Sequence, residues 1–167
     1  MGRSGESSGG SLRLEVIAIG TRAPAWVVDG VHEFRKRMPR ELAWDLREIA
    51  AARRGKNVDT RRIRADEADR LRRAIPTSAY TVALDVRGDG MSTPQLAAEV
   101  ARWQREESAV AILIGGADGM TDDLISQADR RWSLSALTFP HFLVRVLIAE
   151  QLYRAHSLNV GHPYHRE

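Results

Sequence analysis

RWSLSALTFPHFLVRVLIAEQLY, from Arg131 to Tyr153, is the stretch that decides how this chain is built. Trp132 to Ala136 alternates bulky apolar and small polar residues, which predicts the start of a strand. Thr138-Phe139-Pro140 stops it. Thr138 is placed to cap a helix, and Pro140 suits a first helical turn, where no backbone N–H is needed. From Phe142 to Ala155 the residues are apolar almost all the way round at helical spacing. One face of such a helix is covered by its own domain, and the others need a second cover. Another copy of the chain is the economical cover, so a homodimer built on this helix is expected. Glu150 and Arg154 stand four apart on one face, with Glu on the N-terminal side. An exposed pair of this kind contributes only ~0.3–0.5 kcal/mol, too little to account for charges in so apolar a helix. The pair marks either a site at the subunit boundary or a salt bridge on its rim.

The 167 residues are 43% hydrophobic, which suits one core and one domain. Lys plus Arg number 25 against 22 acidic residues, so the net charge is only +3. Any affinity for RNA therefore has to come from local patches. The absence of cysteine excludes disulfides, thiolate catalysis and cysteine-ligated metals. No apolar run approaches the ~20 residues of a membrane span, and the start lacks a signal-peptide core. A cytoplasmic protein without membrane association is expected.

Residues 1–11, MGRSGESSGGS, have no hydrophobic pattern and read as a disordered extension or an expression remnant, with one domain over 12–167. Leu12 to Ile19 alternates as a strand. Pro24 opens a helix to about Met38, with Trp26, Val27, Val31 and Phe34 toward the core. Leu42 to Ile49 is a second strand, followed by the basic loop AARRGKN at Ala51–Asn57. The helix from Asp59 to Ala74 carries many arginines partly neutralised by Asp66, Glu67 and Asp69. Arg53, Arg54 and Lys56 have fewer acids nearby and are the better phosphate-contact candidates, the alternative being a simple polar loop. Tyr80–Val86 and Val110–Ile114 are apolar strands. Thr93-Pro94 caps a helix to Glu107, and another helix spans Thr121 to Asp129. This alternation predicts an α/β fold with a mostly parallel sheet flanked by helices.

Ligands in such sheets bind beyond the carboxyl ends of the strands. Leu84-Asp85, Gly115-Gly116 and Ser135 to Pro140 end three strands there. Glycines let a ligand approach the backbone, and Ser135 to Thr138 offer uncharged polar groups to an adenine or ribose. There is no GxGxxG or Walker loop. The final GHPYHRE, Gly161–Glu167, packs two His, a Tyr and an Arg around a Pro. Such rings stack on bases, and Arg reaches phosphate or a carbonyl oxygen. Two His three apart with no third ligand make a poor zinc site, so no metal is expected. His32, His141 and His156 read as structural or surface residues.

Taken together, several blocks carry a resemblance: the Leu12/Leu14 alternation closed by Ile19-Gly20-Thr21, RGKN at Arg54–Asn57, Leu84-Asp85, TPQLA at Thr93–Ala97, LIGG at Leu113–Gly116, the Ser133–Ala155 block and terminal HPYHRE. The chain from Leu12 to Glu167 resembles the RlmH family, bacterial ribosomal RNA large-subunit methyltransferases of the SPOUT class. The resemblance implies a C-terminal trefoil knot, a homodimer, and transfer of the S-adenosyl-L-methionine methyl group to N3 of a pseudouridine in 23S rRNA of the assembled 70S ribosome. It implies a cofactor pocket formed by Leu84, Gly116, Ser135, Ala136, Leu137, Thr138, Phe139 and Pro140. It puts Glu150, Arg154, Tyr164, His165 and Arg166 at the substrate, the last three reaching across the dimer. His165, Glu150 or a water accepts the N3 proton, and Arg154 or Arg166 stabilises the anion. Ala117 and Phe142 depart from the family pattern, each where many relatives have Pro. A transfer-RNA methyltransferase of the same class and a ribosome-binding module without catalysis are the other readings; cofactor binding separates the last from the first two.

Overall fold

A computed structural model of the chain describes residues 11–166. Most of the leading extension, residues 1–10, lies outside them, as does Glu167. The strands are β1 (Arg13–Ile19), β2 (Trp44–Ile49), β3 (Tyr80–Gly90), β4 (Ala109–Ile114) and β5 (Arg130–Ser133). The helices are α1 (Ala25–Arg35), α2 (Thr60–Ala74), α3 (Thr93–Glu106), α4 (Asp122–Gln127) and α5 (His141–Val160). One sheet runs in the order β2-β1-β4-β3-β5, and every neighbouring pair is parallel. Among the described residues no helix is long and apolar enough to cross a membrane.

Successive strand residues face opposite sides of a sheet, so an apolar strand serves two cores. Val16 and Ala18 of β1, Val82 of β3 and Ile112 of β4 pack with Val27 and Val31 of α1, Trp103 of α3 and Ile148 and Leu152 of α5. Ile17, Ile19, Ala83 and Leu113 face the other way, onto Ala68 and Leu71 of α2 and Leu124 of α4. All six residues of β4 are buried, as a central strand requires.

Several boundaries differ from those the residues predict. The α3 cap is Ser92, whose hydroxyl accepts from the Gln95 N–H while the Gln95 side chain accepts from the Ser92 N–H, a reciprocal box that moves Thr93 inside the helix. β5 ends at Ser133 rather than Ala136. The Ser133 hydroxyl donates to the Ser135 carbonyl at 2.9 Å and the Leu137 N–H donates to the Ser135 hydroxyl at 3.0 Å, a local turn that takes the chain off the ladder. Thr138 therefore does not cap α5, which begins at His141 after an extended Pro140 with no side-chain cap bond. α5 continues past Ala155 to Val160 and stops at Gly161, whose φ of 73° is the left-handed conformation glycine tolerates. Trp26 is 59% exposed and not in the core: Val27 and Val31, four apart, take the buried stripe of α1 and leave Trp26 beside it.

β3 reaches Gly90, beyond the expected end at Val86. Its pairing with β5 breaks between Leu84 and Asp89, where the Val86 and Arg87 side chains turn outward. Gly88 makes the resumption fit, because a Cβ there would stand 2.8 Å from the backbone of Arg131 and Trp132.

The charge that the apolar helix conceals is Arg145, only 1% exposed. Its Nη2 donates to the carbonyls of Ile19 at 3.1 Å and Gly20 at 2.7 Å, and Nη1 lies 3.5 Å from the Glu48 carboxylate. Burial lowers its pKa, opposed by Glu48. Arg145 thus fastens α5 to the carboxyl ends of β1 and β2. Replacing it by Ala leaves two carbonyls without their donor in a dry site, and the expected loss is about 3 kcal/mol, read as a lower urea midpoint of unfolding. Arg145→Lys, which keeps the charge but not the fork, falls between the two.

Candidate active site

The parallel sheet puts the ends of β3, β4 and β5 at one edge, and an open cleft of about 230 Å3 lies there. Leu84, Asp85 and Val86 form one wall, the Gly115-Gly116 loop another, and the run after β5 a third. The first turn of α5 contributes His141 and Val144. Of the residues that the sequence analysis assigned to a pocket, Leu84, Gly116, Ser135, Leu137, Thr138 and Phe139 line the cleft; Ala136 and Pro140 belong to the same run but do not.

The glycine loop is folded tightly on itself. The Gly119 N–H donates to the Gly116 carbonyl at 3.0 Å, and Gly119 takes a positive φ of 76°. A Cβ on Gly115 would meet Met120 Cγ at 2.9 Å, and one on Gly116 would meet a carboxylate oxygen of Glu67 at 2.8 Å. Glycine is needed at both places because larger residues would push the loop into the cleft or off α2.

Glu67 is a site residue that sequence reasoning missed. It is buried at 2% exposure; Oε1 accepts from the Ala52 N–H at 3.2 Å, while Oε2 has no hydrogen-bond partner among the described residues. Desolvation raises its pKa, against the Ala52 bond and Arg54. Arg54 forms an ion pair with Asp118, and the Arg64 guanidinium donates to the Met120 carbonyl at 2.7 Å. Two polar contacts, from Arg54 and Arg64, thus root the glycine loop in the basic loop and in α2, with Glu67 packed against Gly116. His141, expected to be structural or a surface residue, lines the cleft instead. Desolvation, then Arg145 and Arg54, lower its pKa and favour the neutral ring.

A second constellation lies farther along α5. Glu150 Oε1 accepts from Arg154 Nε at 2.7 Å and Nη2 at 2.6 Å and from the Tyr164 hydroxyl at 3.1 Å, while Gln151 donates to Oε2 at 2.7 Å. The Arg154 guanidinium also lies over the Tyr164 ring, 5.0 Å from its centroid. Tyr164 packs on Tyr153 at 4.7 Å between centroids. Burial first, and Glu150 second, raise the Tyr164 pKa, so the phenol keeps its proton. His165 is half-buried, with Nδ1 unpartnered among the described residues, and Arg166 is exposed. The Tyr164 hydroxyl docks on Glu150 of its own chain, because the Gly161 turn folds the tail back onto α5.

Nine residues separate His141 at the cleft from Glu150, which at ~1.5 Å per residue is roughly 13 Å along the helix. Cleft and cluster are therefore apart within one chain.

A family model described as "Predicted SPOUT methyltransferase" matches residues 12–165. The chain is 49% identical over 155 residues to the ribosomal RNA large subunit methyltransferase H of Methylococcus capsulatus, spanning 93% of this chain and 100% of that protein. The fold is similar to that of a methylase family protein from Haemophilus influenzae Rd KW20, with a TM-score of 0.51 and 11% identity, covering 92% of this chain and 70% of the other. It is also similar to a Legionella pneumophila protein described as "the putative methyltransferase Lpg2936", whose structure holds the cofactor SAM, with a TM-score of 0.50 and 10% identity over 87% of this chain and 67% of that one. With the family model covering nearly the whole described chain and the relative matched along its entire length, the chain belongs to the SPOUT methyltransferases, and within them to the family of ribosomal RNA large subunit methyltransferase H.

Proposed function

We propose that this protein transfers the methyl group of S-adenosyl-L-methionine to N3 of a pseudouridine in 23S rRNA of the assembled 70S ribosome. The observation that carries the reading is the pairing of a glycine-cradled cleft with a pre-assembled Glu150–Arg154–Tyr164 cluster on a chain so similar to a ribosomal RNA methyltransferase. The cleft fits the cofactor in kind. Its apolar walls, Ile114, Leu84 and Leu134, suit an adenine ring, Ser135 and Thr138 supply uncharged polar atoms, and the bare Gly115-Gly116 backbone allows close approach. Leu84, Gly116 and the run from Ser135 to Pro140 would hold it. Bound there, it would supply an activated methyl group for transfer to the ring nitrogen.

The chain's own residues have the remaining work. The cluster must hold the base with N3 in line with the donor. Loss of the N3 proton spreads negative charge over two flanking carbonyl oxygens, and Arg154 and Arg166 are the cations able to face them. Four donor groups already occupy the oxygens of Glu150. Its role is to fix Arg154 and Tyr164. His165 is the proposed base: its buried Nδ1 has no partner among the described residues. Tyr164, kept neutral and held by Glu150, Arg154 and Tyr153, shapes the surface against which the base rests.

We further propose a knotted C-terminal segment and a homodimer. The tight passage of Arg131-Trp132 against Gly88 fits a chain drawn through a loop. The exposed Trp26 and half-exposed Leu143 and Leu147 leave apolar surface on α1 and α5 for a second copy to cover. The roughly 13 Å between cleft and cluster in one chain is then bridged by pairing one protomer's cleft with its partner's cluster. A cytoplasmic location follows from a ribosomal substrate.

Two results are expected. His165→Ala lowers kcat by about 100-fold or more with little change in cofactor affinity, and turnover at the unsubstituted rate would remove His165 as the base. Ser135→Trp fills the cleft and Arg154→Ala disables the cluster, so each alone is inactive. Mixed after unfolding and refolding, about half the dimers carry one intact composite site and activity returns to about a quarter of the unsubstituted level. No recovery in demonstrably mixed dimers would place both halves of the site on one chain.

A further inference from the structure

Resting on that function, we infer that the loop after β2, residues 50–58, is a docking site for the sugar-phosphate backbone of the RNA substrate, and that the Arg54–Asp118 ion pair couples its occupancy to the cofactor cleft. The loop carries Arg53, Arg54 and Lys56 and no acidic residue, and all three cations are exposed. Among the described residues Arg53 and Lys56 form neither an ion pair nor a side-chain hydrogen bond. Of the arginines farther along α2, Arg70 pairs with Asp66 and Arg72 with Asp69 and Asp123, and only Arg73 is exposed without an ion pair among the described residues. Unneutralised positive charge therefore collects at the loop and the first turn of α2, where Arg61 and Arg62 are also exposed. A shallow groove of about 370 Å3 runs between loop and helix, lined among others by Arg53, Val58, Arg62 and the Asp66–Arg70 pair, so Arg53 and Arg62 supply its unpaired charge. A strand of phosphates with exposed sugar edges fits such a groove, since guanidinium forks grip phosphate oxygens and Val58 meets a sugar face.

Place in the fold makes this charge useful. β2 lies beside β1 in parallel, with Ile49 opposite Ile19, so the loop leaves the same edge of the sheet as the cofactor cleft. Arg22, exposed just beyond β1 and likewise without a side-chain partner among the described residues, extends the basic rim toward it. The loop is also tied to the wall of that cleft. Arg54 pairs with Asp118 in the glycine loop, and Ala52 donates to Glu67, whose other carboxylate oxygen abuts Gly116. A phosphate that takes Arg54 from Asp118 loosens one of these ties. RNA binding then alters cofactor affinity, and the cofactor must alter RNA affinity by the same factor.

The test uses the full chain, assembled ribosomes lacking the modification, and S-adenosylmethionine. Ribosome binding is measured by sedimentation over a salt series, and cofactor affinity by calorimetry with and without ribosomes. Arg53→Gln/Lys56→Gln is expected to weaken ribosome binding about tenfold and to flatten the log–log salt slope by about two, with cofactor affinity of the free protein unmoved. Asp118→Asn is expected to bring the ratio of cofactor affinities with and without ribosomes toward one. Ribosome affinity and salt slope unchanged in the double variant, while the unsubstituted protein binds and methylates ribosomes, would overturn the docking site alone. An unsubstituted protein whose cofactor affinity is indifferent to ribosomes would overturn the coupling. Failure of the unsubstituted protein to bind ribosomes at all, with cofactor binding intact, would instead overturn the ribosomal substrate and this inference with it.

Discussion

Much of this molecule hangs on one buried guanidinium. Arg145 gives two hydrogen bonds to the carbonyls at the end of β1 and faces Glu48 at the end of β2. A cation so deep is costly to desolvate, and the cost is offset only while those oxygens stay in place. The bond set is therefore a geometric requirement: α5 must cross the sheet where β1 ends. That crossing sets His141 and Val144 in the cleft at one end of the helix and Glu150, Arg154 and Tyr164 at the other.

The cleft and the cluster offer different groups. At the cleft, the useful groups are mostly backbone and apolar surface, shaped by glycines that no larger residue could replace without displacing Met120 or Glu67. At the cluster, they are charged and aromatic side chains held by mutual bonds before any substrate arrives. Such preorganisation lowers the cost of arranging polar groups during reaction. Glu150 is part of that arrangement, its oxygens accepting from Arg154, Tyr164 and Gln151.

The strand and helix order was legible because β4 is apolar at every position and β1 nearly so, and only a sheet covered on both faces needs that. The cleft was legible as three strand ends, and six of the eight assigned residues line it. Two of the buried charges, Arg145 and Glu67, were not, though a signal existed. Arg145 stands three, four and seven residues before Ile148, Ala149 and Leu152, on the buried stripe of α5. Glu67 stands four after Ile63 and four before Leu71, on the buried stripe of α2. Each is masked by composition: one Arg seems incidental in an apolar helix, and one Glu seems solvated among arginines. Trp26 failed the opposite way, since size and hydrophobicity do not say on which side of a stripe a residue falls. The fold-back of Tyr164 depends on Gly161, whose turn direction no periodicity carries.

The central claim is a methyl transfer to one base in an assembled particle, and labelled transfer from S-adenosylmethionine to ribosomes lacking the modification tests it most directly. Isolated subunits and free ribosomal RNA run alongside. The account predicts label on N3 of a single pseudouridine of 23S rRNA, in the assembled ribosome only. Label absent from every ribosomal substrate, with cofactor binding intact, would contradict it and point to transfer RNA.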